Sequence, residues 1–311
     1  MNAIRVEAPG FLTTVQDLGR PGHAAAGVSA SGAADPLALR IGNRLVGNVE
    51  GAAALEMTMV GGSFRFEADG VFALAGADAG ARLGDRPVVP WRPHPVESGE
   101  TLVCTALGGG ARAYLCVRGG LSVPLVFGSA STHLMTALGG CEGRALHAGD
   151  RFVLGEAQKL APFYRAVDPS TIPGYVAGEA FRVTAGPQAS WFAAEARAIL
   201  LETEWSVTEA CDRMGIRLAG PRIETLDTRE LLTEGVPLGA VQVPPGGLPI
   251  VLFVEHQTTG GYPKIANVIA ADLARLGRLR PRDKLTFEAI SMAEAVELLR
   301  AQEEALDALF R

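Results

Sequence analysis

Four short segments of the first half of the sequence recur in the same order in the second half. Residues 5–10 (RVEAPG) resemble residues 182–187 (RVTAGP). In the second match, Glu56 precedes Gly61 by five residues, as Glu234 precedes Gly239. The third match joins the apolar runs 71–74 and 250–253, and the fourth joins the segments 98–103 and 281–286. Ordered self-similarity indicates a duplicated unit. The 311 residues also exceed what one core usually supports. The sequence therefore predicts two related domains, 1–165 and 177–311, joined through a proline-rich linker at 159–176.

The composition favours a mainly β fold with a few helices. The chain holds 38 glycines and 19 prolines without low-complexity tracts, which is typical of many tight turns between short strands. Helical patterns are confined to four places. They begin at Asp35-Pro36, at Pro187 (to Leu201), after Lys264, and at Ser291, where Ser291 and Glu294 form a capping box.

Charge and hydropathy exclude several classes of function. The net charge of −6 and the absence of basic runs argue against a nucleic-acid partner. No apolar run approaches the roughly 20 residues that cross a bilayer, and the N-terminus lacks a signal-peptide pattern. We therefore expect a cytoplasmic protein with no membrane contact. The four cysteines and five histidines show no metal-binding spacing, so buried thiols and no metal site are expected.

The run from His256 to Lys264 (HQTTGGYPK) is the most informative candidate site. An apolar strand-like segment, 249–254, leads into it. The apolar residues that follow recur at helical spacing: Ile265, Val268, Ile269, Leu273 and Leu276. A helix that begins here would present unpaired amides and a positive dipole to an anion. The alternative is that Thr258 or Thr259 merely caps that helix and the glycines only form the turn.

Further polar residues lie in glycine-rich turns. The position of Asp35 indicates a helix cap more than a catalytic acid, and Asp17 and Arg20 could pair across a turn. Glu234 lies between leucines and a Gly-Val-Pro turn, where a carboxylate needs a partner. Lys264 is the only lysine near the 257–263 loop and could neutralise an anion or a developing oxyanion. The sequence contains neither a phosphate-binding loop nor a dinucleotide-binding fingerprint, and its closest approach to a nucleophile elbow, 27–31, lacks the final glycine.

Taken together, these motifs resemble the family of the 5-oxoprolinase C subunit. This family is also called allophanate hydrolase subunit 2 or KipA-like, and it includes the carboxyltransferase domain of urea carboxylase. The matching segments are 14–22 (TVQDLGRPG), 27–35, 43–48 (NRLVGN), 55–56, 128–132, 139–150, 212–215 (DRMG), 234–244 and 257–263 (QTTGGYP). The resemblance covers nearly the whole chain. Three positions depart from it, because Cys211 and Thr233 replace serines and Arg282 replaces a glycine.

The resemblance implies two tandem cyclophilin-like β-barrel domains and an activity that exists only in a complex. The KipI-like B subunit and the A subunit of 5-oxoprolinase would be the partners, and the complex would couple ATP hydrolysis to the opening of 5-oxoproline to glutamate. Nucleotide contacts would be shared with the KipI-like partner. The expected catalytic residues are Asp212, Glu234, Lys264 and Asp35, and the expected substrate- and anion-binding residues are Gln16, Ser31, Arg213, Gln242, Gln257, Thr258, Thr259 and Tyr262.

Two other functions stay open on the sequence. One is carboxyl transfer from carboxybiotin to urea or a similar acceptor, which also needs a lysine and oxyanion stabilisation. The chain carries no biotin-carboxylase or carrier segment within its 311 residues, which favours the hydrolase. The other is a KipA-like regulator that binds a KipI-like kinase inhibitor. A homo-oligomer is compatible with all three.

Overall fold

The computed structural model describes residues 2–156, 166–172, 178–226 and 231–310. Most of the predicted linker lies outside these ranges, as do the two predicted domain limits, residues 165 and 177, so the domain boundary stays a prediction. The described residues form two compact units. The first contains residues 2–20, 31–156, 166–171 and 309–310, and the second contains 21–30, 172, 178–226 and 231–308.

The first unit is built from short strands separated by turns, as the glycine and proline content predicts. Its strands are β1 (Ala3–Ala8), β2 (Leu12–Gln16), β3 (Ala54–Thr58), β4 (Ser63–Phe66), β5 (Gly70–Asp78), β6 (Arg82–Leu83), β7 (Arg86–Pro87), β8 (Pro93–Val96), β9 (Thr101–Val103), β10 (Gly108–Val117), β11 (Leu121–Ser122) and β12 (Arg151–Leu154). They form a seven-stranded sheet in the order β11-β12-β1-β4-β9-β6-β7 and a five-stranded sheet in the order β2-β3-β10-β5-β8.

The two sheets of this unit share one hydrophobic core. Phe64 and Phe66 of β4 and Leu74 of β5 are at most 1% exposed and belong to the same cluster. On β4 the buried phenylalanines alternate with exposed Arg65, which is the pattern of a strand with one face packed on the core and the other exposed to solvent. Burial of large side chains from both sheets therefore supplies most of the stability of this unit.

Helix α1 (Pro36–Leu45) confirms the helix predicted from Asp35 and Pro36. The Asp35 carboxylate caps it, accepting a hydrogen bond from the Ala38 amide at 3.0 Å. Gly42 lets the helix approach the sheet closely, because a Cβ there would lie 2.7 Å from the Cys116 sulfur. Cys116 and Cys104 lie in the core as expected, and burial raises the pKa of the Cys104 thiol to about 12. The expectation of buried thiols is wrong for Cys141 and Cys211, which are half-buried.

The second unit contains a sheet whose two edges meet. Its strands are β13 (Phe181–Ala185), β14 (Trp205–Val207), β15 (Gly215–Ala219), β16 (Glu234–Gly235), β17 (Ala240–Gln242), β18 (Ile250–Leu252), β19 (Thr259–Gly260), β20 (Lys264–Val268), β21 (Lys284–Leu285) and β22 (Phe287–Ala289). Eight of them are ordered β21-β14-β15-β18-β17-β20-β13-β22. Thr286 alone separates β21 from β22, although these strands lie at opposite ends of that order. The sheet must therefore curl into a nearly closed barrel, and strands β16 and β19 form a separate two-stranded ribbon.

The helices of the second unit are α2 (Ala194–Glu202), α3 (Leu273–Leu276) and α4 (Met292–Ala308). The capping box of α4 is confirmed: the Ser291 amide donates to the Glu294 carboxylate at 2.7 Å, and the Glu294 amide donates to the Ser291 hydroxyl at 3.2 Å. Helix α2 begins later than the predicted Pro187, because residues Ala189–Trp191 form a 3₁₀ turn. No helix in the described ranges has the length and apolar character needed to cross a membrane.

The helix predicted directly after Lys264 is wrong. Residues Lys264–Val268 form strand β20, which lies between β17 and β13, and only the four residues Leu273–Leu276 are α-helical. Four of the five strand residues are buried. A strand covered on both faces has a nearly continuous apolar run, which periodicity cannot separate from a buried helix. The 257–263 loop therefore leads into a strand and presents no helix N-terminus to an anion.

Candidate functional site

The 257–263 loop folds back onto Glu234 through the β16–β19 ribbon. Glu234 pairs with Gly260 and Gly235 pairs with Thr259, and the Val236 amide donates to the Thr258 carbonyl at 3.1 Å. The loop leads directly into β20, whose first residue is Lys264. The fold thus brings together two residues, 234 and 264, that are 30 positions apart in the sequence.

Lys264 and Glu234 form an ion pair with unequal burial. The Lys264 Nζ atom lies 2.6 Å from Glu234 Oε1, and the lysine side chain is 1% exposed whereas that of the glutamate is 42% exposed. The two groups meet with ion-pair geometry and not as a directed hydrogen bond. A buried ammonium needs a counter-charge or must give up its proton, and Glu234 supplies that charge from the surface side.

Gln188 holds this pair in place. Its Nε2 donates to Glu234 Oε1 at 2.8 Å, and its Oε1 accepts a hydrogen bond from the Lys264 amide at 3.1 Å. The Gln188 amide also donates to the Lys264 carbonyl at 3.2 Å. Gln188 is not among the residues predicted from the sequence, where only its position directly after the repeated segment 182–187 marks it.

The surroundings keep Glu234 ionised. The Lys264 ammonium, followed by the Gln188 amide, lowers the pKa of the Glu234 carboxyl below its usual value. The glutamate therefore carries a negative charge at neutral pH and acts as a hydrogen-bond acceptor. One carboxylate oxygen, Oε1, receives both of these contacts.

Two glutamine amides complete the cluster. Gln242 is the strand partner of Lys264, at a register shift between β17 and β20. The Gln257 Nε2 donates to Gln242 Oε1 at 3.4 Å. A Cβ on Gly260 would lie 3.0 Å from Gln242 Nε2 and 3.4 Å from Gln257 Nε2. The absence of a side chain at Gly260 thus leaves space directly beside both amides.

Other candidates of the second unit have contacts of their own. Asp212 stabilises a turn, because its Oδ1 accepts hydrogen bonds from the amides of Met214 (2.8 Å) and Gly215 (3.1 Å). Arg213 is 5% exposed and forms a buried ion pair with Glu255. These contacts give both residues structural roles, and a part for them in catalysis stays a prediction.

Tyr262 lies at the wall of a cavity of about 660 Å³, together with Trp191 and Pro244. Thr259 and Tyr262 are exposed, and Thr258 is half-buried. Their polar side chains therefore remain available, unlike that of Lys264.

The candidates of the first unit form two tight polar clusters. Gln16 and Ser31 both donate to the Thr132 carbonyl, at 3.1 and 2.8 Å. The Asp17 carboxylate accepts hydrogen bonds from the hydroxyls of Ser129 and Ser131, at 2.6 and 2.5 Å. The polar turn at 128–132 therefore anchors the end of β2, and Ser31 adopts a left-handed conformation with φ of 53° beside it.

The second cluster surrounds the start of α1. Glu56 is 1% exposed, and its Oε2 accepts hydrogen bonds from the Tyr114 hydroxyl at 2.7 Å and from the Ala34 amide at 2.8 Å. The same tyrosine oxygen accepts from the Asp35 amide at 2.7 Å. Burial, reinforced by the Glu56 and Asp35 charges, raises the pKa of Tyr114 well above its usual value, so it stays protonated. Asp35, as expected, serves as a cap.

Comparison with known proteins places this arrangement in a family. Residues 26–289 match the model of the carboxyltransferase domain, subdomains A and B. The chain is 38% identical to the C subunit of 5-oxoprolinase from Escherichia coli (strain K12) over 307 residues, which cover 98% of this chain and 97% of that protein. The chain belongs to the carboxyltransferase-domain family that includes the 5-oxoprolinase C subunit. The resemblance inferred from the sequence is thereby confirmed.

Two further relatives agree with this membership. The 5-oxoprolinase C subunit of Haemophilus influenzae is 38% identical over 298 residues, covering 96% of this chain and 94% of that protein. The crystal structure of the K. lactis urea amidolyase superposes with a TM-score of 0.92 at 31% identity, over 99% of this chain and 20% of that protein. The mainly β fold class implied by the resemblance is confirmed.

In this carboxyltransferase-domain protein, the Glu234–Lys264 cluster combines three chemical functions. Lys264 provides a buried positive charge, Gln242 provides an amide donor, and Glu234 provides an ionised acceptor at the surface. Donors fixed in a poorly hydrated place stabilise a negatively charged or polarised oxygen more strongly than water does. Within the described ranges, no group of three or more His, Cys, Asp or Glu side chains could hold a metal ion.

Proposed function

We propose that this chain is the C subunit of an ATP-dependent 5-oxoprolinase, which cleaves 5-oxo-L-proline to L-glutamate together with the KipI-like B subunit and the A subunit. The observation that carries the proposal is end-to-end similarity: 38% identity extends over 98% of this chain and 97% of the E. coli protein. Similarity over both whole lengths favours a shared role as well as a shared fold.

The chemistry needs the groups that the cluster provides. A lactam is a poor electrophile, so transfer of the γ-phosphoryl group of ATP to the carbonyl oxygen, with ADP as the leaving group, would activate it. Water then adds to the carbonyl carbon, and the ring C–N bond breaks with the nitrogen taking a proton. The resulting acyl phosphate releases phosphate on attack by a second water. Lys264 and Gln242 would stabilise the negative charge on the oxygen, and Glu234 would orient the ring.

Nucleotide binding is assigned in part to the KipI-like partner. The sequence has no phosphate-binding loop. In the 257–263 loop, the side chains of Gln257, Thr259 and Tyr262 are exposed and that of Thr258 is half-buried, so these are groups that ATP phosphates could reach. The first-unit residues Gln16, Ser31 and Asp35 have structural contacts within that unit. Asp35 as a catalytic residue and Gln16 and Ser31 as substrate-binding residues stay predictions.

The test is a coupled assay with the assembled complex. The chain is purified with its partner subunits, and glutamate release from 5-oxoproline is measured with and without ATP. We expect ATP-dependent release, lowered at least about 100-fold by Lys264→Met. Glu209→Gln, a change on an exposed ion pair with Arg282, is the matched control and should retain full activity. Absence of ATP-dependent release by a correctly assembled complex would refute the proposal.

Carboxyl transfer is the second candidate, and the TM-score of 0.92 to the K. lactis urea amidolyase favours it. Here biotin would deliver a carboxylate to an acceptor such as urea. The same preparation is supplied with carboxylated biotin and urea, and loss of carboxybiotin is followed. Transfer without glutamate release would select this function.

A further inference from the structure

The Glu234–Lys264 cluster contains hydrogen-bonding groups that its own contacts leave unused. Gln242 is 1% exposed, yet its Nε2 has no hydrogen-bond partner among the described residues. A buried amide without a partner is costly, by about 1–3 kcal/mol, and such a group in a native protein calls for an explanation. One explanation is a ligand that supplies the missing hydrogen-bond acceptor.

The orientation of the Gln242 amide is fixed by its neighbour. Its oxygen is occupied by the Gln257 Nε2 at 3.4 Å, which leaves the NH₂ group directed to the space beside Gly260. Lys264, the strand partner of Gln242, adds a cation to the same cluster. Both groups are donors, so the complementary ligand atom is an oxygen with negative or partial negative charge.

Glu234 offers the opposite kind of group. Its Oε1 receives Lys264 and Gln188, whereas its Oε2 accepts no hydrogen bond within the part of the chain that the structure describes. As an ionised carboxylate it can only accept hydrogen bonds. Since Glu234 is the exposed member of the cluster, an approaching ligand meets this acceptor first.

We propose that the cluster recognises a cis amide, a planar N–C=O group whose N–H and C=O lie on one edge, as in a lactam or a urea. The Gln242 and Lys264 donors hold the carbonyl oxygen, and Glu234 Oε2 accepts the N–H. This inference rests on the proposed function and deepens it, because it names Glu234 as the residue that selects an N–H-bearing substrate.

The decisive probe is a ligand that lacks the N–H but keeps everything else. In the lactone analogue of 5-oxoproline, a ring oxygen replaces the N–H while the carbonyl and the carboxylate remain. Its affinity for the assembled complex without ATP is compared with that of 5-oxo-L-proline and of N-methyl-5-oxoproline by calorimetry. Loss of a hydrogen bond to a charged acceptor corresponds to roughly 10- to 100-fold weaker binding, which we expect for both analogues.

Two variants separate recognition from folding. Glu234→Gln keeps the size of the side chain but replaces the obligate acceptor by an amide that can also donate, so the preference for lactam over lactone should fall by at least about 10-fold. Glu209→Gln, the same chemical change on an exposed carboxylate of the second unit, should keep the preference. A structural role of Glu234 would weaken both ligands equally and leave their ratio unchanged.

The outcomes distinguish this inference from the proposed function. Equal binding of lactam and lactone, or an unchanged ratio in Glu234→Gln, overturns the cis-amide site even where the complex releases glutamate. If the complex releases no glutamate but binds urea or lactams with the Glu234-dependent preference, the proposed hydrolase fails and the site stands. Absence of binding of all these ligands to the assembled complex overturns the cis-amide site, and absence of ATP-dependent glutamate release in addition refutes both.

Discussion

Lys264 is almost completely buried, whereas Glu234, whose carboxylate lies 2.6 Å from the lysine ammonium, has a side chain that is 42% exposed. The pair is therefore asymmetric. Water can solvate the Glu234 carboxylate when the lysine is absent, but the buried Lys264 ammonium needs the glutamate as its counter-charge. A functional pair of this kind should show unequal effects on stability when each partner is removed.

We predict that Lys264→Met changes the free energy of unfolding by less than about 1 kcal/mol, because methionine fills the space without a charge to desolvate. Glu234→Ala should lower it by about 1–3 kcal/mol, since it leaves the buried ammonium without a counter-charge. Urea denaturation of the two variants at pH 7 measures both values. If Lys264→Met proved the more destabilising change, the asymmetric description of the pair would be wrong.

Gly260→Ala should impair ligand binding with little loss of stability. Its backbone lies outside the left-handed region, but the new Cβ would be 3.0 Å from Gln242 Nε2 and 3.4 Å from Val236 Cγ1. The methyl group would thus fill the space beside the amide, and we expect at least about 10-fold weaker binding of 5-oxoproline by the complex. Gly235→Ala in the same ribbon meets nothing within 4 Å and is the matched control. Equal effects of the two changes would argue against a ligand at this position.

The glycine and proline content of the sequence predicted the β-rich architecture, because turns between short strands are local signals. Turn glycines, alternating phenylalanines at 64 and 66, and the Asp35-Pro36 cap each act over a few residues. Such local preferences agree with the final fold and can be recognised directly. Strand β20 was mistaken for a helix because both of its faces are covered, so its partners β17 and β13, and not its own pattern, decide its structure.

The candidate site was predictable to the extent that charges in apolar surroundings are conspicuous. Glu234 and Lys264 stand out in the sequence for this reason, and the ribbon brings them together. Gln188 gave no such signal, because an uncharged amide in a turn is ordinary and its role depends on contacts with residues 46 and 76 positions away. Periodicity cannot report pairings of that separation.

Tyr114→Phe should destabilise the first unit through lost hydrogen bonds alone. The hydroxyl donates to Glu56 Oε2 and accepts from the Asp35 amide, both at 2.7 Å, and the side chain is fully buried. Its removal leaves a carboxylate oxygen and an amide short of a partner, at a cost of about 2–3 kcal/mol. Thermal and urea unfolding check this value. Tyr262→Phe, on a residue that is 45% exposed, should change stability by less than about 0.5 kcal/mol.

Arg282→Gly should stabilise the second unit. Arg282 has φ of 75°, and the repeat aligns it with Gly99, which has φ of 92°. Relief of left-handed strain, about 1–2 kcal/mol, exceeds the entropic cost of glycine and the small value of the exposed ion pair with Glu209. We expect a net gain of up to about 1 kcal/mol by urea denaturation. Arg282→Ala loses the same ion pair but keeps the strain, so a gain of the same size in that variant would exclude the backbone explanation.

Asp150→Asn should alter the pH dependence of stability. Arg144 contacts the Asp150 carboxylate at 2.8 and 3.0 Å, and this pairing, with the His147 amide at 2.7 Å, lowers the pKa of Asp150 below its usual 3.8. A lowered pKa in the folded state contributes stability that is present above pH 3.8 and is lost as the pH falls through the folded value. The stability difference between wild type and Asp150→Asn should therefore be constant from pH 8 to about pH 5 and shrink below pH 3.8. Urea unfolding across this range measures it, because urea is uncharged and does not screen the ion pair. Glu142→Gln, which removes an 81% exposed partner of the same arginine, should show no such difference. A wild-type advantage over Asp150→Asn that is as large at pH 3 as at pH 7 would show that the ion pair does not set this dependence.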